Sequence, residues 1–269
     1  MAILTNDQKI AYRDDGLIRV TLPDSVVEIL IEFRYEVVIW LNKFGNIDID
    51  PNKLSIELPI IAKKNRQLVA KLYKVSRRFP SVRRLACDDI IVDISAELMD
   101  TKLVSLCNFT NIRIDLPNED KYLLPAHQDF PYIQESLNGV TWWIPFFDIP
   151  VDSGAPTFCY GSHKDGILNV REFSYGETGK SGGKSFEIIG TKYNTDSCFS
   201  KKESVSFGSA LVFNTLLVHR SEPNNSSVAR FNSQIRLGDT LQVDSFNRNY
   251  PDGLYVGNKF SESYPEYVE

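Results

Sequence analysis

Leu124-Pro125-Ala126-His127-Gln128-Asp129-Phe130 carries one of only three histidines in a chain of 269 residues, two positions before a carboxylate. In an extended strand residues i and i+2 share a face, so this spacing predicts that His127 and Asp129 offer an imidazole and a carboxylate to one metal ion. A lone His-x-Asp arises easily by chance, and a site needs a third ligand from elsewhere. His219 is the candidate, 219 − 127 = 92 residues later, at the end of the apolar run from Ala210 to Val218.

Outward from that stretch, the texture of the chain changes near Leu103. Before it, residues 25–44 read as an amphipathic helix capped by Asp24 or Ser25 and stopped by Gly45, and further helices are expected over 58–78 and 81–98. After it, short alternating segments separated by turn residues predict strands near 104–114, 122–128, 139–149, 156–160, 186–190, 204–206, 210–219 and 228–239. The expected fold is mainly β with supporting helices: a double-stranded β-helix (jelly roll, cupin-like) with an N-terminal helical layer. One domain over 1–269 is expected, with helical support over 1–103, a jelly-roll core over 104–240, an inserted loop over 161–203 and a C-terminal tail over 241–269, whose tyrosines cover apolar surface.

The inserted loop is rich in Gly, Ser and Lys and reads as a mobile lid. Its Gly179-Lys180-Ser181 and Gly183-Lys184-Ser185 lack the earlier glycine of a phosphate loop, since Ser174 and Thr178 stand there. A formal charge of −5 gives no general attraction to nucleic acid or anionic membrane, and no apolar run approaches the ~20 residues that span a bilayer. No signal pattern opens the chain. Cys87, Cys107, Cys159 and Cys198 show no metal-ligand spacing and read as reduced thiols of a cytoplasmic protein.

Two histidines and one carboxylate leave open coordination positions, the facial arrangement of non-haem Fe(II) oxygenases. After His219 the turn-rich Arg220-Ser221-Glu222-Pro223-Asn224-Asn225-Ser226-Ser227 leads into a strand carrying Arg230 and Arg236. If the chain reverses about residues 224 and 225, Arg230 returns to the level of His219, where a guanidinium can clamp the carboxylate of a molecule chelating the metal. Arg236 shares its parity but stands roughly 20 Å further along a regular strand, too far for a small diacid. Asn111 and Arg113 share a face, and a solvated edge is the simpler reading of that arginine.

At these residues the chain resembles the phytanoyl-CoA dioxygenase-like family of Fe(II)/2-oxoglutarate oxygenases. The shared landmarks are Leu124 to Asp129, Val140-Thr141-Trp142-Trp143-Ile144-Pro145-Phe146-Phe147-Asp148, Gly154, Tyr160-Gly161-Ser162-His163-Lys164, and His219-Arg220-Ser221 with Asn224, Ser226 and Arg230. The resemblance implies His127, Asp129 and His219 as catalytic iron ligands, Arg230 as the 2-oxoglutarate clamp and Ser221 as its helper. It also implies Fe(II), 2-oxoglutarate and O2 as the cofactor set. Trp143 is a further cofactor-binding candidate, although strand alternation alone leaves open which of Trp142 and Trp143 faces the pocket. His163 falls in a motif that the family uses as a structural turn. Asp129 keeps the carboxylate that related halogenases lose, so the implied reaction is hydroxylation of a small molecule, with succinate and CO2 released. Lys164, Lys180, Lys184, Lys192, Lys201 and Lys202 hint at an anionic substrate such as a sugar nucleotide, a phosphorylated compound or an acyl thioester. The alternatives are a cupin-type isomerase or hydrolase that does not use 2-oxoglutarate, and a non-catalytic binding module.

Overall fold

Thr5 opens the first helix, α1 (Asn6–Asp15), with a capping box in which its side chain accepts from Gln8 N and the Gln8 side chain reaches back to Thr5 N. This is a computed structural model, and it describes residues 3–107, 111–119, 123–174, 184–190, 193, 196–199, 201–253 and 257–269. Gly16, at φ 81°, ends α1 and turns the chain directly into a strand, β1 (Leu17–Thr21). That strand was not expected within the helical layer. It is short, and its alternation is confined to Ile18 and Val20 pointing inward.

The long helix α2 (Asp24–Gly45) follows the predicted span closely. Val26, Leu30, Phe33, Val37 and Leu41 recur every three or four residues and are fully buried, so the helix is held by one apolar stripe. The helix expected over 58–78 is instead two, α3 (Leu54–Lys64) and α4 (Arg66–Ser76). Asn65 divides them because its side chain accepts from Leu68 N at 3.0 Å, starting a new helix. The next expected helix also divides, into α5 (Pro80–Ala86) and α6 (Asp89–Met99), with Asp88 capping Ile90 N.

The main sheet is antiparallel. Its strands are β1, β2 (Val104–Leu106), β3 (Asn111–Asp115), β4 (Gly139–Pro145), β8 (Ser209–Asn214) and β10 (Arg230–Asp239). Their order is β1-β8-β4-β10-β2, with β3 also pairing along β10. The facing sheet is small: β5 (Thr157–Phe158) pairs with β9 (His219–Arg220), and isolated bridges join His127 to His219 and Ile149 to Val205. The strand expected over 122–128 therefore reduces to a single bridge at His127, and that over 204–206 to one at Val205.

The helices cover one face of the main sheet. Ile112, Trp142, Ile144, Val212, Phe231, Ile235 and Leu237 point into one continuous apolar core with α2 and α6. Trp142 ends its burial with an N–H donated to Ser95 Oγ at 2.9 Å. The other face of the same sheet looks toward β5 and β9 and carries the site.

The described residues of 161–203 include regular structure. Strands β6 (Val170–Ser174) and β7 (Lys184–Ile188) form a hairpin, and Val170, Phe186 and Ile188 are buried with Phe130, Phe260 and Tyr264. Residues 175–183, with most of the glycine of the expected loop and Lys180, lie outside the described residues, as do Lys192 and Tyr255. In the tail Tyr264 is fully buried, as expected of a cover, whereas Tyr250 is exposed. The reading of all four cysteines as reduced thiols is corrected: Cys159 and Cys198 form a disulfide, with 5.1 Å between their Cα atoms, because residues 196–199 pack against β5, which Cys159 follows directly. Cys87 and Cys107 remain thiols.

Candidate metal and cosubstrate site

His127, Asp129 and His219 converge, one ligand atom of each lying within 4.8 Å of the others, and all three residues are buried. The pleat is not what aligns the first two. Asp129 has helical φ and ψ of −70° and −29° and stands before the short helix α7 (Phe130–Ile133), so the chain turns there and swings the carboxylate toward the rings. Between them Gln128 points away and staples this segment to Gly166, Leu168 and Leu216 through its amide.

Both imidazoles are fixed at Nδ1, that of His127 by Pro125 O at 2.7 Å and that of His219 by Leu217 O at 2.9 Å. A ring that donates through Nδ1 has its lone pair on Nε2. Those Nε2 atoms lie 3.8 and 3.9 Å from Asp129 Oδ1, leaving the three ligand atoms around one point. Burial, reinforced by the neighbouring His219, lowers His127 to about 3, and burial likewise lowers His219. Neutral rings and a carboxylate are the protonation states a divalent metal requires. For Asp129 burial acts to raise the carboxyl, but the Arg236 guanidinium and the histidines override it and hold it below the usual range.

Arg236 is thus not remote, as its spacing implied. It grips Asp129 with both arms, Nε to Oδ2 at 3.0 Å and Nη2 to Oδ1 at 3.1 Å, and Thr141 Oγ1 adds 2.8 Å to Oδ2. The distance estimate measured along one strand and neglected how far the cavity extends beside it. Arg230 and Arg236 both line that cavity, with Arg113, His127, Trp143, His219, Ser221, Asn232 and Gln234.

At the end away from the triad, Asp115 lies between two guanidiniums. Arg230 donates to it from Nε and Nη2 at 3.2 and 3.0 Å, and Arg113 from Nε and Nη2 at 3.3 and 2.7 Å. Arg230 Nη1 donates to Ser153 O and Glu222 O. Burial would raise Asp115, but Arg113 and Arg230 hold it well below the usual range, so two positive charges flank one negative. The solvated-edge reading of Arg113 is corrected, since it is 9% exposed.

Register explains the assembly. Arg230, Asn232, Gln234 and Arg236 alternate along β10 and face Asp115, Arg113, Asn111, Trp143 and Thr141 on its neighbours. The alternation is present in the sequence, but nothing local marks Asn232 or Gln234 as facing a cavity. Trp143 faces the cavity and Trp142 the helical core. His163 lies elsewhere, its Nε2 3.1 Å from Arg13 O. Of the lysines in question, Lys164, Lys201 and Lys202 pair with Asp14, Glu203 and Glu222.

The sequence profile of the family described as phytanoyl-CoA dioxygenase (PhyH) matches residues 60–232, more than half of the chain. The chain belongs to the phytanoyl-CoA dioxygenase family. Among curated proteins, the phytanoyl-CoA dioxygenase domain-containing protein 1 homologues of Caenorhabditis elegans and Caenorhabditis briggsae are 35% and 32% identical over 97 residues, 36% of this chain. The matched stretch spans 32%, about a third, of the length of each relative. Two solved structures share the fold of this phytanoyl-CoA dioxygenase-family chain. The non-heme alpha ketoglutarate dependent carbocyclase SnoK from nogalamycin biosynthesis has a TM-score of 0.56 at 16% identity, covering 96% of this chain and 95% of that one. EctD from S. alaskensis, solved with 2-oxoglutarate and 5-hydroxyectoine, has a TM-score of 0.56 at 13% identity, covering 88% and 76%. Among the described residues no helix is long and apolar enough to cross a membrane.

Proposed function

We propose that this protein is an Fe(II)- and 2-oxoglutarate-dependent dioxygenase that hydroxylates a C–H bond of a small molecule. One observation carries the reading: a single cavity is lined by His127 and His219 of the His127–Asp129–His219 ligand set and by Arg113 and Arg230, which hold Asp115 between them. The donor set fits the metal, because both Nε2 lone pairs and Asp129 Oδ1 face a common point and three ligands leave positions open. Iron bound there, with 2-oxoglutarate and O2, would supply the oxidant for the C–H bond and yield succinate and CO2.

The chain's own residues would bind and orient. Arg230, held in place by Asp115, Ser153 O and Glu222 O, would present its guanidinium to the distal carboxylate of the cosubstrate. Asp115 already takes the Nε–Nη2 edge of Arg230, so the clamp would be shared with Arg113 and Ser221 instead of being a simple two-armed fork. Trp143 would wall the cosubstrate, and Phe158 and Phe213, 5.9 and 4.8 Å from the His219 ring, would exclude water from the distal ligand. The Asp129 carboxylate occupies the position that a halide would need, which favours hydroxylation. The paired lysines withdraw support from an anionic substrate, and we assign only a small-molecule class.

Anaerobic calorimetric titration of 2-oxoglutarate into Mn(II)-loaded protein tests the reading. Saturable binding that is lost in His219→Ala is expected. Metal binding without 2-oxoglutarate binding would instead point to an isomerase or hydrolase.

A further inference from the structure

Resting on that assignment of the cavity, we propose that Asn232 is a cosubstrate-binding residue whose side-chain amide donates to the distal carboxylate of 2-oxoglutarate. Asn232 is 1% exposed and lines the cavity, yet neither its Oδ1 nor its Nδ2 has a hydrogen-bond partner. Buried polar side chains are almost always paired, so an amide with both ends open at the wall of a cavity is held for something that enters. Its neighbours on the same face are already engaged: Gln234 Oε1 accepts from Asn111 and Arg236, and Arg230 is bound to Asp115.

Its position selects the ligand group. Asn232 follows Arg230 by two residues on β10 and is the register partner of Arg113 on β3, so it stands beside both guanidiniums of the carboxylate end. Arg230 has spent the edge that would make two parallel bonds to a carboxylate. The receptor needs another donor, and Nδ2 supplies one without adding charge. Oδ1 is left to an ordered water, a usual partner of a buried acceptor in a polar cavity.

The test compares wild type, Asn232→Leu and Asn232→Asp, each loaded with Mn(II) under anaerobic conditions. Two ligands are titrated: 2-oxoglutarate, and 2-oxopentanoate, which keeps the α-keto acid and replaces the distal carboxylate by a methyl group. Asn232→Leu is expected to weaken 2-oxoglutarate on the order of 10- to 100-fold, the range of a hydrogen bond to a charged group. It should bind 2-oxopentanoate and Mn(II) as wild type does. Asn232→Asp should lose more, because a second carboxylate repels the first. A structural role predicts a lower melting temperature and no selectivity between the ligands, whereas removal of an unpaired amide predicts a melting temperature at or above that of wild type. Should Asn232→Leu fail to fold, Asn232→Ala is read in the same way. Unchanged 2-oxoglutarate affinity, or equal loss of both ligands, would overturn the assignment of Asn232. Wild type that binds no 2-oxoglutarate would overturn the cosubstrate reading itself.

Discussion

Arg236 neutralises a carboxylate that has almost no contact with water. Removing one member of a buried ion pair strands the other, at a typical cost of about 3–5 kcal/mol. Arg236→Met is therefore expected to destabilise the metal-free protein by that order. Saturating Mn(II) should restore more stability to the variant than to wild type, since the ion takes over as counter-charge to Asp129; equal metal-induced shifts in melting temperature would refute this. The ring of His127 sets a second expectation. The unfolded chain takes up its proton below about 6.5, whereas the folded chain resists until about 3. Stability of the metal-free protein should accordingly fall as pH drops from about 6.5 toward 3. His219, lowered by the same burial, acts in the same direction. Asp129 and Asp115, both depressed, contribute stability above about 3.9 that is lost further down, steepening the decline. Urea unfolding at stepped pH checks this, and a flat profile between 6.5 and 4.5 would contradict it. The triad was legible in the sequence because two histidines and an aspartate stand in recognisable motifs. Asp115, Thr141 and Asn232 were not, because nothing local distinguishes them before cross-strand register brings them together.

Among the elements, the turn before β5 has little room. Gly154 sits at φ 72°, and a Cβ there would lie 2.3 Å from Pro223 O and 2.4 Å from Glu222 O. Gly161, at φ 77° and ψ −5°, shares the left-handed region, and a Cβ there would lie 3.4 Å from Asp14 O, an ordinary contact. Gly154→Ala is expected to cost roughly 2–4 kcal/mol and Gly161→Ala about 1 kcal/mol, the difference being the clash rather than the backbone angle. Because Ser153 O and Glu222 O hold Arg230, Gly154→Ala should also weaken 2-oxoglutarate; comparable melting temperatures for the two variants would count against this. The long apolar periodicity of α2 made it readable to within a residue or two. The breaks at Asn65 and Cys87 were not readable, because each depends on a side chain choosing to cap a backbone N–H within a pattern that otherwise continues. The strand expected over 122–128 shortens to one bridge at His127 for a related reason, since its extension ends where Asp129 turns.

For the whole molecule, the bridge between Cys159 and Cys198 closes a separation of 39 residues, for which the chain-entropy relation gives about 4 kcal/mol. Cys198→Ser should lower the denaturation midpoint by a corresponding amount without changing Mn(II) affinity, and an unchanged midpoint would show that the link adds nothing. No sequence spacing announced this pair, because the hairpin that joins them is itself a product of the fold. The main sheet has a further implication through β10. One face of that strand supplies Arg230, Asn232, Gln234 and Arg236 to the cavity, and the other supplies Phe231, Ile235 and Leu237 to the core. It works like a reading frame: inserting or deleting a single residue early in β10 would exchange the two sets, sending guanidiniums against α6 and aromatic and aliphatic groups toward the metal. Point substitutions along β10 can separate chemistry from stability, but a frameshift of the strand cannot, so length variation in this protein should fall in the turns at either end of it and never within.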